Sequence, residues 1–559
     1  MKRVKNKIAI FSLSILSLSS LTVLNSCSKD DVIVKDPRRF TASDVNSYAD
    51  LFDVFWKTMD QQYNYFYEQK EQGGLDWDEV YKVYYPKFAA LQTYGRPNED
   101  DGQINEDYLT ASTYFEEIID PFIDRHFNVK IQFPATNKNI IRTITFYGGM
   151  LDKEVSNVYP FEEKYDYMQD RVNKNAYKSM TSSLGIIAGN LNSNPDIYYL
   201  SFSQFAMANN LKITLADQYL NPGKGNALVL TQDILTDNEE LKKIQDVDMR
   251  NAIKEVTFEI LKEYNSYSES KAYKAFMQEV AKFNQTEIVS NELILSAQSA
   301  LREYNSLPKY KTAGPYGALY NAATADYVGT FIGLMNNHVN YGYNFPQVTG
   351  AITQIFSRGA FYQEFLNPLH KGEIKKIVID LRDNGGGAVV DARFISDRFI
   401  TKDAVFAYQR TREGNGRFNY TPWIEAKTTP HNFGIPTNIP IAILTDKGSA
   451  SMSEITTLML KSQGNQVVSI GDYSAGATAG LGTSDDFNGG TRDEIAGGKL
   501  KFYMPLLAMK DANGVVVEGV GIKPDIYVTP PTDIELAQMA TPNFVDRVLN
   551  EAIKYLQSK

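Results

Sequence analysis

The sequence predicts an α/β protein, and three features of its second half indicate this. Between residues 356 and 535, short apolar runs alternate with helical patterns, and glycine-rich turns separate them. Uninterrupted apolar runs are typical of strands buried on both faces, and their alternation with helices is typical of a layered α/β core. The predicted strands are Ile374–Leu381, Ile439–Leu444, Gln466–Ile470 and Leu500–Leu507.

The rest of the chain divides by pattern into further segments. Helical periodicity prevails before the core and again in a long stretch that interrupts it. The predicted segments are a signal peptide (1–27), a polar tether (28–45), an N-terminal helical region (46–128), a mixed strand region leading into the core (129–207), a mostly helical insertion (208–355), the core (356–535) and a C-terminal helix (536–559).

Composition limits the possible functions. The 559 residues suffice for more than one domain, and 43% hydrophobic with 22% charged residues is typical of a soluble globular protein. The 57 basic and 67 acidic residues give a net charge of -10. An acidic chain of this kind is a poor partner for nucleic acid.

The N-terminus has the pattern of an export signal. A basic start, with Lys2, Arg3, Lys5 and Lys7, precedes the apolar stretch Ile8–Leu24. The stretch ends in Leu24-Asn-Ser-Cys27, and Cys27 is the only cysteine of the chain. This resembles a bacterial lipoprotein signal, which implies lipidation of Cys27 and anchoring to the cell envelope, at the outer membrane. The charged stretch Ser28–Asp31 resembles a surface-export signal, and no later segment is apolar enough to span a bilayer.

A strand, a turn and a helix surround Ser451. The apolar run Ile439–Leu444 breaks at Lys447-Gly448, and a helical pattern follows with Met452, Ile455, Leu458 and Met459 on one face. Ser451 therefore falls at a helix N-terminus, where backbone N–H groups lack intrahelical acceptors and favour developing negative charge. This position suits a nucleophile. The alternative is that a serine here serves only as an N-cap.

A second polar turn lies upstream in Ile377-Val-Ile-Asp-Leu-Arg-Asp-Asn-Gly-Gly-Gly387. Glycines allow the backbone to approach a ligand closely and to present N–H groups to it. No Gly-Lys-Ser/Thr follows, so this is not a phosphate-binding loop. Amides of Gly385 and Gly386 would suit an oxyanion hole beside Ser451. The alternative is that this glycine turn is purely structural.

Together these two segments resemble the C-terminal processing (tail-specific) serine peptidases and the related tricorn-core peptidases, which share a ClpP/crotonase-type αβ fold. Asp380 to Gly387 matches the family's Asp-Leu-Arg-x-Asn-x-Gly-Gly motif, and Ser449 to Glu454 matches Ser-Ala-Ser-x-Ser-Glu. The resemblance implies that Ser451 is the nucleophile. It also implies oxyanion donors at Met452 and in the Gly385–Gly386 pair.

The chain departs from the tail-specific pattern at the general base. That branch places a lysine in a turn about 25 residues after the serine, and here Ala477 stands at that position. The tricorn-like branch uses serine, histidine and glutamate. His126, in Ile123-Asp-Arg-His-Phe127, resembles the family's Asp-x-His signature, and Glu518, in Val516-Val-Glu-Gly-Val-Gly-Ile-Lys-Pro-Asp525, resembles its Glu-x-x-Gly-Val-x-Pro-Asp segment. We interpret His338, His370 and His431 as structural.

The resemblance implies a serine endopeptidase that acts on peptides or unfolded proteins through an acyl-enzyme on Ser451. It requires no cofactor, and no His, Cys or carboxylate group has the sequence spacing of metal ligands, so no metal is expected. Two alternatives stay open. One is a non-catalytic peptide- or glycan-binding lipoprotein on the same fold, and the other is an enzyme acting on acyl thioesters, which only the shared fold supports.

Overall fold

The predicted α/β architecture is present in the computed structural model. The structure describes residues 38–96, 99–134, 140–149, 157–207, 211, 232–306, 313–341, 345–414, 416–480, 490–541 and 543–559. The predicted signal peptide and the lipidation cysteine, Cys27, lie outside these residues. Among them, no helix is long and apolar enough to cross a membrane.

A seven-stranded sheet forms the centre of the molecule. Its strand order is β14-β10-β9-β6-β5-β4-β3, and the strands from β14 to β5 are parallel. β3 and β4 extend it as antiparallel strands. The strands are β3 (Tyr177–Met180), β4 (Gly185–Asn190), β5 (Tyr198–Phe202), β6 (Ile377–Asp380), β9 (Ile441–Thr445), β10 (Val467–Gly471) and β14 (Ile526–Tyr527).

Both faces of this sheet are covered, which explains why its central strands are apolar throughout. Every residue of β5, β6 and β9 is buried. One face packs on the helical insertion, and the other packs on α5 (Phe161–Gln169) and α17 (Arg547–Gln557). Successive strand residues point to opposite faces, so Ile379 belongs to the first cluster and Val378 to the second.

The N-terminal region forms a separate apolar cluster with a four-stranded antiparallel sheet. Four helices, α1 (Tyr48–Gln62), α2 (Phe66–Gly73), α3 (Trp77–Ala89) and α4 (Asp101–Ile119), pack on this sheet through aromatic side chains such as Phe55 and Phe115. The sheet order is β11-β12-β1-β2, with strands β1 (Asn128–Pro134), β2 (Ile141–Tyr147), β11 (Gly490–Ile495) and β12 (Leu500–Met504). The pairing of β1 with β12 thereby joins the N-terminal region to the last third of the chain.

The remaining elements surround the central sheet. The insertion contributes seven helices that the structure describes: α6 (Gln232–Thr236), α7 (Glu239–Lys242), α8 (Val247–Glu269), α9 (Lys271–Thr286), α10 (Asn291–Ser306), α11 (Ala325–Tyr341) and α12 (Phe345–Phe361). Three short helices are α13 (Asn367–His370), α14 (Val390–Phe394) and α16 (Asp533–Leu536). The longer helix α15 (Met452–Lys461) follows β9. A small antiparallel sheet, β13-β7-β8, contains β7 (Val405–Arg410), β8 (Ile424–Lys427) and β13 (Ala508–Asp511).

A buried ion cluster joins the Asp-Leu-Arg motif to the C-terminal helix. The Arg382 guanidinium contacts Asp380 at 2.6 Å and Asp546, at the start of α17, at 2.8 Å. Lys164 adds a third contact, to Asp380 at 3.2 Å. Buried charges are tolerated only when paired and hydrogen-bonded. Asp380 and Arg382 of the motif therefore stabilise the fold, whereas the glycines that follow them lie beside Ser451.

Candidate active site

The site lies where three parallel strands end. The carboxyl ends of β6, β9 and β10, which are neighbours in the sheet, lead into the loops 381–389, 446–451 and 472–480. In open α/β sheets this edge is the usual place for ligands. It carries the glycine turn, the predicted nucleophile and the turn that holds Ala477.

Ser451 is the last residue before α15, as predicted. Its backbone adopts φ 55° and ψ −113°, a strained conformation for a residue with a Cβ. Its N–H group donates to the carbonyl oxygen of Ala477 at 2.9 Å and to Glu454 Oε2 at 3.0 Å. Strain of this kind persists only where neighbours hold it, and it is frequent at catalytic residues.

Glu454 organises the loops around Ser451. Its carboxylate is fully buried. Oε1 accepts hydrogen bonds from Ser474 Oγ at 2.6 Å and from the Gly476 amide at 2.8 Å, and Oε2 accepts one from the Ala477 amide at 2.8 Å. Burial raises the pKa of Glu454, and these hydrogen bonds oppose that shift. One side chain thus fixes the position of the serine relative to the loop 472–480.

Gly386 packs directly against Ser451, the predicted nucleophile. Its φ is +92°, and a Cβ at this position would lie 2.6 Å from Ser451 Cβ and 2.7 Å from the Met452 nitrogen. Only glycine fits such a place. Gly385 differs, because a Cβ there would meet nothing within 4 Å.

The predicted set of oxyanion donors needs a correction. The Gly386 amide donates to Asn384 Oδ1 at 3.0 Å, so this N–H group is already occupied. The Met452 amide opens α15, where N–H groups lack intrahelical acceptors, and it lies beside Gly386. Met452 and Gly385 are therefore the better candidates, and Gly386 serves by allowing the close approach.

His126 and Glu518 come together although they are far apart in sequence. His126 follows α4 in a loop, and one of its ring nitrogens lies within 4.8 Å of a Glu518 carboxylate oxygen and of an Asp124 carboxylate oxygen. Glu518 is fully buried. Its Oε2 accepts from the amides of Thr478 and Ala479 at 2.7 and 2.9 Å, and its Oε1 accepts from the Arg125 amide at 3.1 Å.

The loop 472–480 connects the two halves of the site. Ala477 binds the amide of Ser451, and the next residue, Thr478, binds Glu518. The Arg125 guanidinium donates to the carbonyl oxygen of Ala475 and so holds the histidine loop against the same segment. Two adjacent residues, Ala477 and Thr478, thus link the predicted nucleophile to the predicted glutamate.

Burial dominates the electrostatics of this cluster. It lowers the pKa of His126 to about 4, which leaves the imidazole neutral at physiological pH. It raises the pKa of Asp124 to about 7, against the effect of two backbone hydrogen bonds. Burial, with the Asp124 carboxyl beside it, also holds the pKa of Glu518 well above its usual value. Two neighbouring buried carboxyls resist simultaneous ionisation.

The other histidines that the structure describes in full have structural contacts, consistent with our interpretation. His431 Nδ1 accepts from the Phe433 amide at 3.0 Å, and His370 Nδ1 lies 3.4 Å from the Gly434 carbonyl oxygen. The side chain of His338 lies outside the described residues. Sequence reasoning missed Asp124 and Glu454 as site residues, although each stands inside a motif that it singled out.

A cavity of about 580 Å³ lies between the C-terminal half of α15 and the segment 511–523. Val517 and Gly521, on either side of Glu518 in sequence, line it together with Tyr473 and Leu458. Ligand cavities commonly have this volume. An occupant would contact the segment that carries Glu518.

Comparisons with known proteins agree with these features. Residues 351–528 match the profile described as Peptidase family S41. The carboxy-terminal processing protease CtpB of Bacillus subtilis is 30% identical over 200 residues, which cover 35% of this chain and 37% of that protein. A probable CtpA-like serine protease of Staphylococcus aureus is 29% identical over 163 residues, 29% of each chain. The predicted resemblance to the C-terminal processing peptidases is thereby confirmed, although the aligned part spans only about a third of those relatives.

A solved structure covers more of the chain. A candidate peptidase from Parabacteroides merdae aligns over 92% of this chain and 97% of its own, with 14% identity and a TM-score of 0.46.

Proposed function

We propose that the protein is a serine endopeptidase that hydrolyses peptide bonds of peptides or unfolded proteins through an acyl-enzyme on Ser451. The observation that carries this proposal is a single loop, 472–480, that binds Ser451 at Ala477 and Glu518 at Thr478, with His126 beside Glu518. The family match over 351–528 supports the same class of reaction.

The chemistry assigned to each residue follows from its position. Neutral His126 takes the proton of Ser451 Oγ as the oxygen attacks the substrate carbonyl, and then gives it to the leaving amine. The Met452 and Gly385 amides stabilise the oxyanion. Water then hydrolyses the ester with His126 again as base, which regenerates the free serine. Glu518 orients the imidazole, and its own position is fixed by backbone amides.

The position that carries the catalytic lysine in the tail-specific peptidases is occupied here by Ala477, which cannot act as a base. Ala477 is buried, and its backbone serves Ser451 and Glu454. The two lysines nearest in sequence to Ser451 are engaged elsewhere: Lys461 pairs with Asp525 at 2.8 Å, and Lys447 lies over the Tyr473 ring at 5.5 Å. The histidine route is the one that the described residues favour.

The decisive experiment compares Ser451→Ala with the wild-type chain on quenched fluorescent peptides and a denatured protein. We expect at least a 10³-fold loss of kcat/KM, in line with the removal of other serine nucleophiles. His126→Ala should lose about as much, because the two residues act as a unit. Ser462→Ala, at the far end of α15, serves as the control and should leave the activity unchanged.

The outcomes separate the peptidase from the non-catalytic alternative. Equal activity of the wild type and Ser451→Ala would refute the assignment of the nucleophile. A wild-type chain that cleaves none of these substrates but retains peptides in a binding assay would instead favour the binding lipoprotein.

We further propose that the chain is exported and lipid-anchored through Cys27 at the bacterial outer membrane. The sequence pattern of residues 1–31 supports this location. Growth with a labelled fatty acid analogue should label the wild type and not Cys27→Ser. Membrane fractionation gives the second measurement, and an unlabelled wild-type protein in the soluble fraction would contradict the proposal.

A further inference from the structure

We propose that Asp124, His126 and Glu518 form a binding site for a divalent transition-metal cation, with Zn²⁺ as the fitting ion, and that its occupation inhibits the peptidase. The inhibition rests on the proposed function, whereas the binding does not. The spacing of these residues in the sequence did not reveal the group, because only folding brings Glu518 next to Asp124 and His126.

The geometry is that of an incomplete cation site. One ring nitrogen and two carboxylate oxygens lie within 4.8 Å of one another. Zinc bonds to nitrogen and oxygen are about 2.0–2.2 Å long, so tetrahedral ligand atoms lie about 3.4 Å apart. Small movements of side chains would bring the three donors to that separation and leave a fourth position open.

A second observation points independently to a ligand. Asp124 Oδ2 and His126 Nδ1 are buried, and neither has a hydrogen-bond partner among the described residues. The Asp124 side chain is fully buried. A buried polar atom left unpaired is unfavourable, and such atoms in folded proteins frequently mark an ion or a catalytic group.

The local charge balance also favours a cation. Asp124, Glu518 and Glu454 are all fully buried. Arg125, which lies between Asp124 and His126, directs its guanidinium to the carbonyl oxygen of Ala475 instead of to a carboxylate. A divalent cation would displace the protons of these carboxyl groups and compensate the negative charge that remains.

The donor set selects the ion. An imidazole with two carboxylates suits Zn²⁺, whereas Ca²⁺ and Mg²⁺ require more oxygen ligands and avoid nitrogen. When one nitrogen of a neutral imidazole binds a metal, the other nitrogen carries the ring proton, so neither can accept the proton of Ser451. Zinc at this site would therefore remove the base that the proposed mechanism needs.

Binding can be measured without peptidase activity by using the Ser451→Ala variant, produced without a histidine tag. Titration calorimetry with ZnCl₂ should give one site. Adding Asp124→Asn or His126→Ala to this variant should weaken binding at least ~10-fold, while adding His370→Ala should not. Thermal shifts with and without zinc report the same binding and reveal whether each variant is folded.

Each result decides one part of the proposal. No zinc binding by the folded protein, or unchanged binding in folded Asp124→Asn, would overturn the site. In the wild type, the zinc concentration that halves the activity should match the dissociation constant, and EDTA should restore activity. Zinc binding with full activity would overturn the inhibition alone. A wild type that is inactive without zinc would count against the proposed function and leave the binding result standing.

Discussion

The amide of Ser451 donates a hydrogen bond to the carbonyl oxygen of Ala477 at 2.9 Å. In the tail-specific peptidases, the residue at the position of Ala477 is the lysine expected to activate the serine. Here that residue contributes its backbone to the serine instead. The next residue of the loop, Thr478, donates its amide to Glu518. The loop that lacks the lysine therefore connects the proposed nucleophile to the glutamate of the proposed histidine-based mechanism.

Gly386→Ala should lower kcat/KM by about 10²-fold and should also destabilise the protein, because alanine is strained at a φ of +92°. The new Cβ would lie 2.6 Å from Ser451 Cβ, and a displacement of about 1 Å at a nucleophile has roughly this effect on rate. The matched control is Gly329→Ala in α11, whose Cβ meets nothing within 4 Å. Steady-state kinetics of both variants test the contact, and equal losses would contradict it.

Glu454→Ala should destabilise the protein by roughly 3 kcal/mol or more, because it leaves buried donors without an acceptor. Those donors are the amides of Gly476 and Ala477 and the hydroxyl of Ser474, whereas the amide of Ser451 keeps the Ala477 carbonyl oxygen. Glu454→Gln keeps one carbonyl oxygen and should lose less. Denaturant unfolding measures both, and a neutral Glu454→Ala would show that the loop does not depend on this carboxylate.

Asp546→Ala should cost about 3–5 kcal/mol, since it removes one of two carboxylates that compensate the buried Arg382. The comparison variant is Glu239→Ala, which removes an exposed partner of Lys242 and should leave the melting temperature unchanged. Thermal unfolding distinguishes the two. A shift of similar size in both variants would argue against a special role for the buried cluster.

Asp124→Asn should stabilise the protein more at pH 8 than at pH 5. The pKa of Asp124 is raised from 3.8 to about 7 on folding, so the folded protein binds the proton more tightly. The stability that this neutral carboxyl provides is fully present below pH 3.8 and is lost as the pH rises through 7. Asparagine removes that loss, and the difference between the variants should grow by roughly 2 kcal/mol between pH 5 and 8.

Urea unfolding at the two pH values measures this difference. The neighbouring Glu518, whose pKa is also raised, will share part of the effect. A difference that is constant with pH would show that Asp124 is ionised in the folded protein throughout this range.

Regular elements were predictable because their apolar patterns are local. The predicted strand at Gln466–Ile470 agrees to within one residue at each end with β10 (Val467–Gly471), and α15 begins directly after Ser451. Strand ends were less predictable. The run Ile374–Leu381 yields only Ile377–Asp380, because pairing begins where Ile377 meets Ile441. A strand extends only as far as the neighbouring strands pair with it. The lengths of those neighbours cannot be predicted from the residues of the strand itself.

The site was predictable only where a motif carried it. His126, Ser451 and Glu518 were found through resemblance, and the contact of His126 with Glu518 needed the fold. The role of Glu454 was hidden because a glutamate three residues after a serine has the pattern of an ordinary capping box. The occupied amide of Gly386 depends on how the Asn384 side chain turns back, which no spacing encodes.

The contact between Arg382 and Asp546 has a consequence for when this part of the fold is completed. The chain is made from its N-terminus, and Asp546 follows every residue assigned to the site. Until α17 has been synthesised, the strand beneath the glycine turn carries a buried guanidinium with one of its two carboxylates missing. The ion cluster beneath the glycine turn is therefore completed only when the C-terminal helix has been made.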